Sequence, residues 1–327
     1  MTDEAMVTFT HVQKQFAGTT VIPDLTLTIP RNQIFVLVGR SGSGKTTTLK
    51  MVNALVRPDA GTITFDGKPL SAYNVRQLRW QIGYVLQQIA LFPNMTVAQN
   101  IAVIPEMQHV PAEKVAARTK ELLAACGLDP DVYMSRRTDE LSGGEAQRIG
   151  IIRALAADPP TILMDEPFSA LDPLSRRQLQ DLVLALQEKL HKTIIFVTHD
   201  MNEALKMGDQ IAVMDAGQLL QVGTPDEIRL APATEFVADL FAGTTQADPL
   251  LLPLKQVVTM GDAELATPDT PAGHHVSAHQ ALGDVLPQLQ AGAHLLVTVN
   301  KQTYLVDAKV ALKAITQSAV GRPTVEH

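Results

Sequence analysis

Residues 39–46, GRSGSGKT, join glycines to one lysine and one threonine at a spacing suited to holding phosphate. The run fits the pattern G-x-x-x-x-G-K-[ST], in which the glycines let backbone N–H groups turn toward a phosphate. A helix that begins at such a loop adds positive potential at its N-terminus. Lys45 can reach the outer phosphates, and the Thr46 hydroxyl can ligate Mg²⁺. We call this run the phosphate loop.

The residues expected to contact the phosphates lie in or directly after this loop. They are Gly39, Arg40, Ser41, Gly42, Ser43, Gly44, Lys45, Thr46 and Thr47. A chance glycine turn is the alternative, and the apolar run directly before the loop argues against it. Taken alone, the loop leaves kinases, GTPases and many ATPases open.

A pair of carboxylates follows a second apolar run at TILMDEP, residues 161–167. The run predicts a strand that delivers both side chains to its C-terminal end, where the ligands of open α/β sheets bind. Asp165 suits the Mg²⁺ shell, and Glu166 is placed to orient or deprotonate an attacking water. A surface turn is the alternative, because an Asp-Glu pair after an apolar run is common.

Short β-rich runs and longer helical runs must position these groups. Residues 34–38 form a continuous apolar run, which is typical of a parallel strand buried on both faces. Further strands are predicted over 25–29, 161–164, 193–197 and 211–214, and helices over 111–125, 145–157 and 174–190. Because helical character is concentrated over 88–157, the sequence predicts an α/β core interrupted by a helical subdomain.

A small polar stretch with a proline, GTTQADP at 243–249, predicts a domain boundary. The expected domains are therefore residues 1–243 and residues 244–327. In the second domain we expect a loop over 267–275, helices over 278–289 and 309–316, and strands over 294–299 and 303–306. That domain is predicted to be a small α+β tail.

The bulk composition limits the partners of this chain. Net charge is −7 and no basic block stands out, which argues against a nucleic-acid partner. The single cysteine, Cys126, fits a reducing compartment, and we expect a small buried side chain rather than a reactive one. The first ten residues predict no secretory signal, and no apolar run approaches the roughly 18 residues that cross a bilayer. A membrane role would therefore require docking onto a spanning partner.

A third motif, LSGGE at 141–145, opens a predicted helix that continues as AQRIGIIRALA. The fixed order GRSGSGKT, LSGGE, ILMDEP, SALD (169–172) and FVTHD (196–200) resembles the ATPase subunits of ATP-binding-cassette (ABC) transporters over about residues 5–243. A capped helix N-terminus explains Ser142 alone but not this order of motifs. The resemblance implies a P-loop NTPase cassette, with a RecA-like α/β core plus a helical subdomain, that hydrolyses ATP with Mg²⁺.

The resemblance also implies a role for each matching residue. Gln87 matches the glutamine that senses Mg²⁺ and the attacking water, with the adjacent Gln88 as the alternative. His199 matches the histidine that contacts the γ-phosphate, and Phe16 matches the aromatic that stacks on adenine, a plain core phenylalanine being the alternative. The implied catalytic residues are Glu166, His199 and Gln87, and the implied metal ligands are Thr46, Gln87 and Asp165.

In this family the LSGGE segment, called the signature, meets the ATP held by the opposite subunit. Ser142, Gly143 and Gly144 match its contact residues, and Asp172 belongs to a loop that crosses the same interface. The resemblance therefore implies a homodimer with two sandwiched ATP molecules. Glu145 stands where glutamine is more usual; it adds negative charge near the nucleotide, and its effect on ATP binding stays open.

Residues 78–107 resemble the osmoprotectant branch of importers, which take up glycine betaine, carnitine, choline or proline betaine. This implies two integral-membrane permease subunits, an extracytoplasmic solute-binding protein and a location at the cytoplasmic face of the membrane. Residues 281–315 resemble one cystathionine-β-synthase (CBS) repeat, with a ligand-free dimer-stabilising tail as the alternative. An importer for another solute, such as amino acids, also stays open. A soluble ABC ATPase of translation or DNA repair is disfavoured by the single cassette and its ordinary insertion.

Overall fold

The computed structural model describes residues 5–88, 90–242, 244, 252–267, 270–299 and 302–320. The chain divides into two compact units, Met1–Phe241 and Ala242–His327, and each is described by itself. Among the described helices, none is both long enough and apolar enough to cross a membrane.

The strands of the first unit form two sheets. They are β1 (Ala5–Phe16), β2 (Thr19–Pro30), β3 (Ile34–Val38), β4 (Ala60–Phe65), β5 (Lys68–Pro69), β6 (Ile82–Val85), β7 (Thr161–Asp165), β8 (Thr193–Thr198), β9 (Gln210–Asp215) and β10 (Gln218–Gly223). The first sheet is antiparallel, in the order β2-β1-β4-β5. The second has the order β10-β9-β3-β8-β7-β6, and its neighbours are parallel except for β9 and β10. The C-terminal ends of β3, β6, β7 and β8 therefore share one edge, which we call the carboxyl edge.

The helices of the first unit cover that second sheet and form the region between β6 and β7. They are α1 (Lys45–Val52), α2 (Val75–Trp80), α3 (Val97–Met107), α4 (Ala112–Ala125), α5 (Pro130–Tyr133), α6 (Gly143–Leu155), α7 (Pro173–Leu190), α8 (Met201–Met207), α9 (Pro225–Leu230) and α10 (Glu235–Ala242), with 3₁₀ turns at Leu70–Ala72 and Thr138–Glu140. The helices predicted over 111–125 and 174–190 are confirmed to within one residue. The helix predicted over 145–157 lies two residues earlier, because Ser142 caps its N-terminus.

The two faces of β3 pack against different groups of residues, which explains its continuous apolar run. Ile34, Val36 and Val38 lie in a core with residues of α6 and α7. Phe35 and Leu37 lie in a second core with residues of β1, β2 and α1. The prediction of a parallel strand buried on both faces is therefore confirmed.

Cys126 lies in the first of these cores, with 2% of its surface exposed. Burial raises the pKa of its thiol to about 12, so the thiol is neutral at physiological pH. The expected small buried side chain is therefore confirmed.

The second unit consists of one sheet and helices packed on it. Its elements are α11 (Leu254–Met260), β11 (Glu264–Leu265), β12 (His274–Val276), α12 (Leu282–Gln290), β13 (Leu295–Val299), β14 (Gln302–Val306) and α13 (Ala308–Val320). The sheet order is β11-β14-β13-β12, with β12 parallel to β13 and the other neighbours antiparallel. The predicted order of helix, strand, strand and helix is confirmed from α12 to α13. The resemblance to a CBS repeat stays a prediction.

Two predicted boundaries in this unit are wrong. The helix expected from residue 278 begins at Leu282, because the Ser277 hydroxyl and carbonyl accept hydrogen bonds from the N–H groups of His279 and Gln280 and form a turn. The loop expected over 267–275 ends in a strand at His274, because His274 pairs in parallel with Leu295. Residues 268 and 269 of that loop, and most of the predicted boundary at 243–249, lie outside the described residues.

Candidate nucleotide-binding site

The phosphate loop joins the C-terminal end of β3 to α1 through backbone turns that require glycine. Gly42 and Gly44 have φ angles of 81° and 93°, in a region that residues with a Cβ rarely adopt. At Gly39 a Cβ would lie 2.0 Å from the carbonyl oxygen of Met214, so a larger residue would displace β9. Gly44 caps α1 without a side-chain hydrogen bond, which leaves the first N–H groups of that helix to an anion. The loop is therefore shaped as a phosphate cradle.

Lys45 is buried within this cradle. Its Nζ donates to the carbonyl oxygens of Gly39 and Arg40, at 2.8 and 2.9 Å. Burial lowers the pKa of the ammonium, and the nearby carboxylates of Glu166 and Asp165 oppose that shift. The positive charge is thus held at the loop by the loop's own backbone, where it can meet a phosphate.

Hard oxygen ligands meet next to the loop. The Thr46 hydroxyl donates to Asp165 Oδ1 at 2.9 Å, across the gap between α1 and β7. The Tyr84 hydroxyl, at the end of β6, lies 3.5 Å from Asp165 Oδ2. Burial and then the charge of Asp165 raise the pKa of Tyr84, so it stays a neutral donor. Hydroxyl and carboxylate oxygens are the protein ligands that Mg²⁺ prefers.

Glu166 presents its carboxylate from an unusual backbone position. Its φ is 46°, and its N–H donates to the Val197 carbonyl at 3.0 Å. Its Oε2 lies 3.0 Å from His199 Nδ1 and accepts a hydrogen bond from Gln87 Nε2 at 3.2 Å. These contacts bring the three predicted catalytic side chains together at the carboxyl edge, and they favour Gln87 over the adjacent Gln88. Strained backbone of this kind is often found where a side chain must be aimed at a ligand.

The remaining predicted phosphate contacts lie around the loop, with Ser43 buried, Thr47 half-buried and Ser41 exposed. The guanidinium of Arg40 lies 4.9 Å from the ring centroid of Phe236 in α10. Phe16, at the end of β1, has 46% of its surface exposed and is therefore not a core residue.

The signature residues lie in a different part of the unit. Ser142 caps α6, and its hydroxyl accepts a hydrogen bond from the N–H of Glu145 at 3.3 Å, next to Gly143 and Gly144. Asp172 caps α7 by accepting the N–H groups of the two residues that follow Pro173. The side-chain hydrogen bonds of Ser142 and Asp172 described above stay within these helix starts.

The Glu145 carboxylate is turned back toward its own chain. One oxygen accepts the Ser142 N–H at 2.7 Å, and the other accepts the Tyr133 hydroxyl and lies 3.6 Å from Arg136 Nη1. The hydrogen bond from Tyr133, with those from Ser142, lowers the pKa of this carboxyl to about 2. The negative charge noted in the sequence is therefore compensated within the chain.

Sequence reasoning missed residues that support this edge from behind. Glu203 in α8 accepts the Thr198 hydroxyl at 2.6 Å, directly before His199. Asn100 in α3 accepts the Phe92 N–H at 2.8 Å and donates to the Phe92 carbonyl at 3.2 Å. Tyr84 was also missed, because no strand was predicted over residues 82–85, and no motif marks the other two.

Comparison with known proteins agrees with this geometry. A family model described as ABC transporter matches residues 22–169. The choline transport ATP-binding protein OpuBA of Bacillus subtilis is 48% identical over 235 residues, which cover 72% of this chain but only 61% of that protein. The glycine betaine uptake system ATP-binding protein YehX of Escherichia coli is 40% identical over 298 residues, which cover 91% of this chain and 95% of that protein.

A solved structure is similar as well. The dimeric ATP-binding cassette MJ0796, in a post-hydrolysis state bound to ADP and Pi, is 29% identical, with a TM-score of 0.60 over 67% of this chain and 99% of that one. The carboxyl edge carries a phosphate cradle, the signature opens α6, and the match to YehX covers most of both chains. The chain therefore belongs to the family of ABC transporter ATP-binding proteins.

Proposed function

We propose that the chain binds MgATP and hydrolyses it to power import of a quaternary-ammonium osmoprotectant, such as glycine betaine, carnitine or choline. The observation that carries the chemistry is the Glu166 carboxylate, which meets His199 and Gln87 beside the Thr46–Asp165 pair. The solute class is supported by the relatives, which include choline and glycine betaine transport proteins.

ATP binding is assigned to the phosphate loop. The cradle of residues 39–47 would hold the phosphates through backbone N–H groups, and the Lys45 ammonium would exchange its carbonyl partners for phosphate oxygens. The exposed ring of Phe16 offers a surface on which adenine can stack.

Mg²⁺ fits the oxygen ligands at this edge. Thr46, Asp165 and Gln87 would hold it, and the ion would neutralise charge on the phosphate oxygens. Among the described residues, no group of three or more His, Cys, Asp or Glu forms a metal site by itself. This fits Mg²⁺, which keeps waters and phosphate oxygens in its shell alongside one or two carboxylates.

Hydrolysis is assigned to the side chains that converge on Glu166. Its carboxylate would accept a proton from the water that attacks the γ-phosphorus, while the bond to the β,γ-bridging oxygen breaks to give ADP and phosphate. Gln87 would orient that water, and His199 would contact the γ-phosphate. The carboxylate is already positioned by both groups, so little reorganisation is needed when the water arrives.

The signature would act on the ATP of a second copy. Because the hydrogen bonds of Ser142 and Asp172 stay within their own helix starts, a head-to-tail homodimer with two sandwiched ATP molecules gives them a role. The dimeric cassettes among the similar structures support this assembly. Loss of the γ-phosphate removes contacts that only the closed dimer makes, so hydrolysis can drive a conformational cycle.

As an importer subunit, the dimer would sit at the cytoplasmic face of the membrane, beneath two integral-membrane permease subunits and with an extracytoplasmic solute-binding protein. The helical subdomain at 88–157 and the loop after Gln87 would receive the permeases. The cassette would comprise residues 1–243, and residues 244–327 would form a regulatory or dimerising tail resembling a single CBS repeat.

Uptake of labelled glycine betaine, carnitine and choline tests the transport assignment. It is measured in salt-stressed cells that lack other betaine importers and carry the intact chain or Glu166→Gln, with Glu113→Gln on the exposed face of α4 as the matched charge control. We expect Glu166→Gln to abolish uptake and Glu113→Gln to retain it, while uptake of a sugar stays constant. Unchanged entry of all three solutes with Glu166→Gln would refute the solute class.

Hydrolysis by the purified full chain tests the chemistry separately. We expect Mg²⁺-dependent release of phosphate that Glu166→Gln lowers by about 10²- to 10⁴-fold, the usual range for losing a general base. Equal rates for the two chains would remove Glu166 from the mechanism without bearing on the solute.

A further inference from the structure

The signature helix α6 is attached to the rest of the unit on two sides near its N-terminus. On one side, the buried Gln147 donates through Nε2 to the Pro167 carbonyl at 2.7 Å, one residue after Glu166. On the other side, Glu145 accepts the Tyr133 hydroxyl from the end of α5. The first attachment ties α6 to the backbone directly after Glu166, and the second ties it to α5 within the helical subdomain.

The second attachment is a closed cluster of three side chains, which we call the Glu145 cluster: Tyr133, Arg136 and Glu145. The Tyr133 hydroxyl donates to the carboxylate, and the Arg136 guanidinium lies 3.6 Å from the same oxygen. That guanidinium also lies 4.4 Å from the centroid of the Tyr133 ring. Because each member contacts the other two, the carboxylate has one favoured position.

The loop that carries this cluster is itself fixed to α3. The N–H groups of Val97 and Ala98 donate to the carbonyls of Arg136 and Met134, at 2.9 and 3.1 Å. These are N–H groups of the first turn of α3, which have no partner inside that helix. These hydrogen bonds support the cluster. The other carboxylate oxygen of Glu145 accepts the Ser142 N–H, so the position of the cluster also fixes the start of the signature.

We infer that Tyr133, Arg136 and Glu145 are positioning residues that hold the signature in the orientation needed to meet ATP on a second copy of this chain. The inference rests on the proposed function. A carboxylate in place of the usual glutamine is what the cluster requires, because only an anion pairs with Arg136 while accepting from both Ser142 and Tyr133. An N-terminus displaced by about 1 Å would lose much of its contact with the γ-phosphate.

The test is ATP-driven dimerisation of the full chain with hydrolysis blocked by Glu166→Gln. In this background, Tyr133→Phe removes one hydroxyl and Glu145→Gln removes one charge. Tyr73→Phe is the matched control, because its hydroxyl donates to the Phe65 carbonyl at 2.8 Å in the first sheet. We expect Tyr133→Phe and Glu145→Gln to raise the ATP concentration for half-maximal dimerisation by about three- to tenfold, the fold-change that corresponds to the net contribution of one ordinary hydrogen bond.

Two further readouts separate positioning from simple stability. ATP affinity of the monomer, measured at high dilution, should stay within about twofold for both variants, since the phosphate loop is untouched. In a double-mutant cycle, Tyr133→Phe should add little to Glu145→Ala, because Tyr133 acts through that carboxylate.

Dimerisation of both variants at the ATP concentration of the Tyr73→Phe control would overturn the inference while leaving the proposed function intact. A lower melting temperature with unchanged ATP dependence would overturn it too, because it would show a purely structural role. If the Glu166→Gln parent itself does not dimerise with ATP, the proposed sandwich fails and the inference fails with it.

Discussion

Asn100 gives a sharp prediction about the segment that follows Gln87. Its side chain is fully buried and makes hydrogen bonds to the Phe92 N–H and carbonyl, and to the carbonyls of Met95 and Thr96. One amide thus closes the loop between β6 and α3. Asn100→Ala removes every one of these bonds without adding bulk.

The expected loss of folding stability follows from the backbone groups that lose their hydrogen-bond partner. The Phe92 N–H loses its Asn100 partner, whereas the Phe92 carbonyl keeps the Met95 N–H at 3.2 Å, and an unmet buried polar group costs about 1–3 kcal/mol. Since 46% of Phe92 is exposed, water can satisfy part of this loss, and we expect about 2 kcal/mol. In a unit of this size, that lowers the melting temperature by about 4–8 °C.

The assay is calorimetry of the full chain together with ATP hydrolysis. Asn53→Ala is the control, because Asn53 is also buried but its side-chain oxygen accepts a hydrogen bond from a nearby backbone group, the Leu55 N–H at 3.2 Å. We expect Asn100→Ala to lower both the melting temperature and the hydrolysis rate, and Asn53→Ala to cost about 1 kcal/mol with hydrolysis retained. A melting temperature for Asn100→Ala within about 2 °C of the intact chain would refute the reasoning.

Other predictions concern single side chains. Phe236→Leu removes the ring under Arg40 and should weaken ATP binding by about two- to fivefold in a titration, the size of one cation–π contact, whereas Asp239→Asn on the same helix should not. Cys126 should react with maleimide at pH 8 at least about a hundredfold more slowly than free cysteine, until denaturant exposes it. The folded protein lowers the pKa of Glu145. The contribution of this carboxylate to the stability of the fold is therefore complete above about pH 4.5 and is lost toward pH 2. Glu145→Gln should therefore be less stable in urea at pH 7 by about 1 kcal/mol after solvent screening, and the gap should narrow below pH 4.5.

The sequence predicted the site best where function requires a fixed local geometry. The phosphate loop requires glycines with positive φ and a strand directly before it, so the motif GRSGSGKT is enough to predict its local backbone. In the same way, the short apolar run Ile34–Val38, followed at once by a glycine-rich turn, indicated a strand covered on both faces. Local patterns therefore predicted the carboxyl edge of the sheet.

Contacts between distant segments were not predictable in this way. Glu145 was interpreted by its charge alone, because nothing in the sequence places Tyr133 beside it. The turn at Ser277 and the strand at His274 were missed for a related reason: a serine that bonds backbone N–H groups and a short strand that needs a parallel partner both depend on the tertiary fold. The sequence pattern thus predicted helices and strands, whereas the contacts between them became visible only in the structure.

The clearest contact between distant segments that the sequence did not predict is made by Glu203, a carboxylate buried behind the carboxyl edge. Burial raises its pKa, so the carboxylate costs stability that an apolar residue would not. What it provides is a link: it accepts the Thr198 hydroxyl beside His199, and it lies 3.9 Å from Arg176 Nε, while Arg176 Nη2 donates to the Leu171 carbonyl at 3.2 Å. The segment with His199 and the loop before Asp172 are thus connected through Glu203 and Arg176. We therefore expect movement of one segment to disturb the other, a role that a hydrophobic residue in place of Glu203 could not fill.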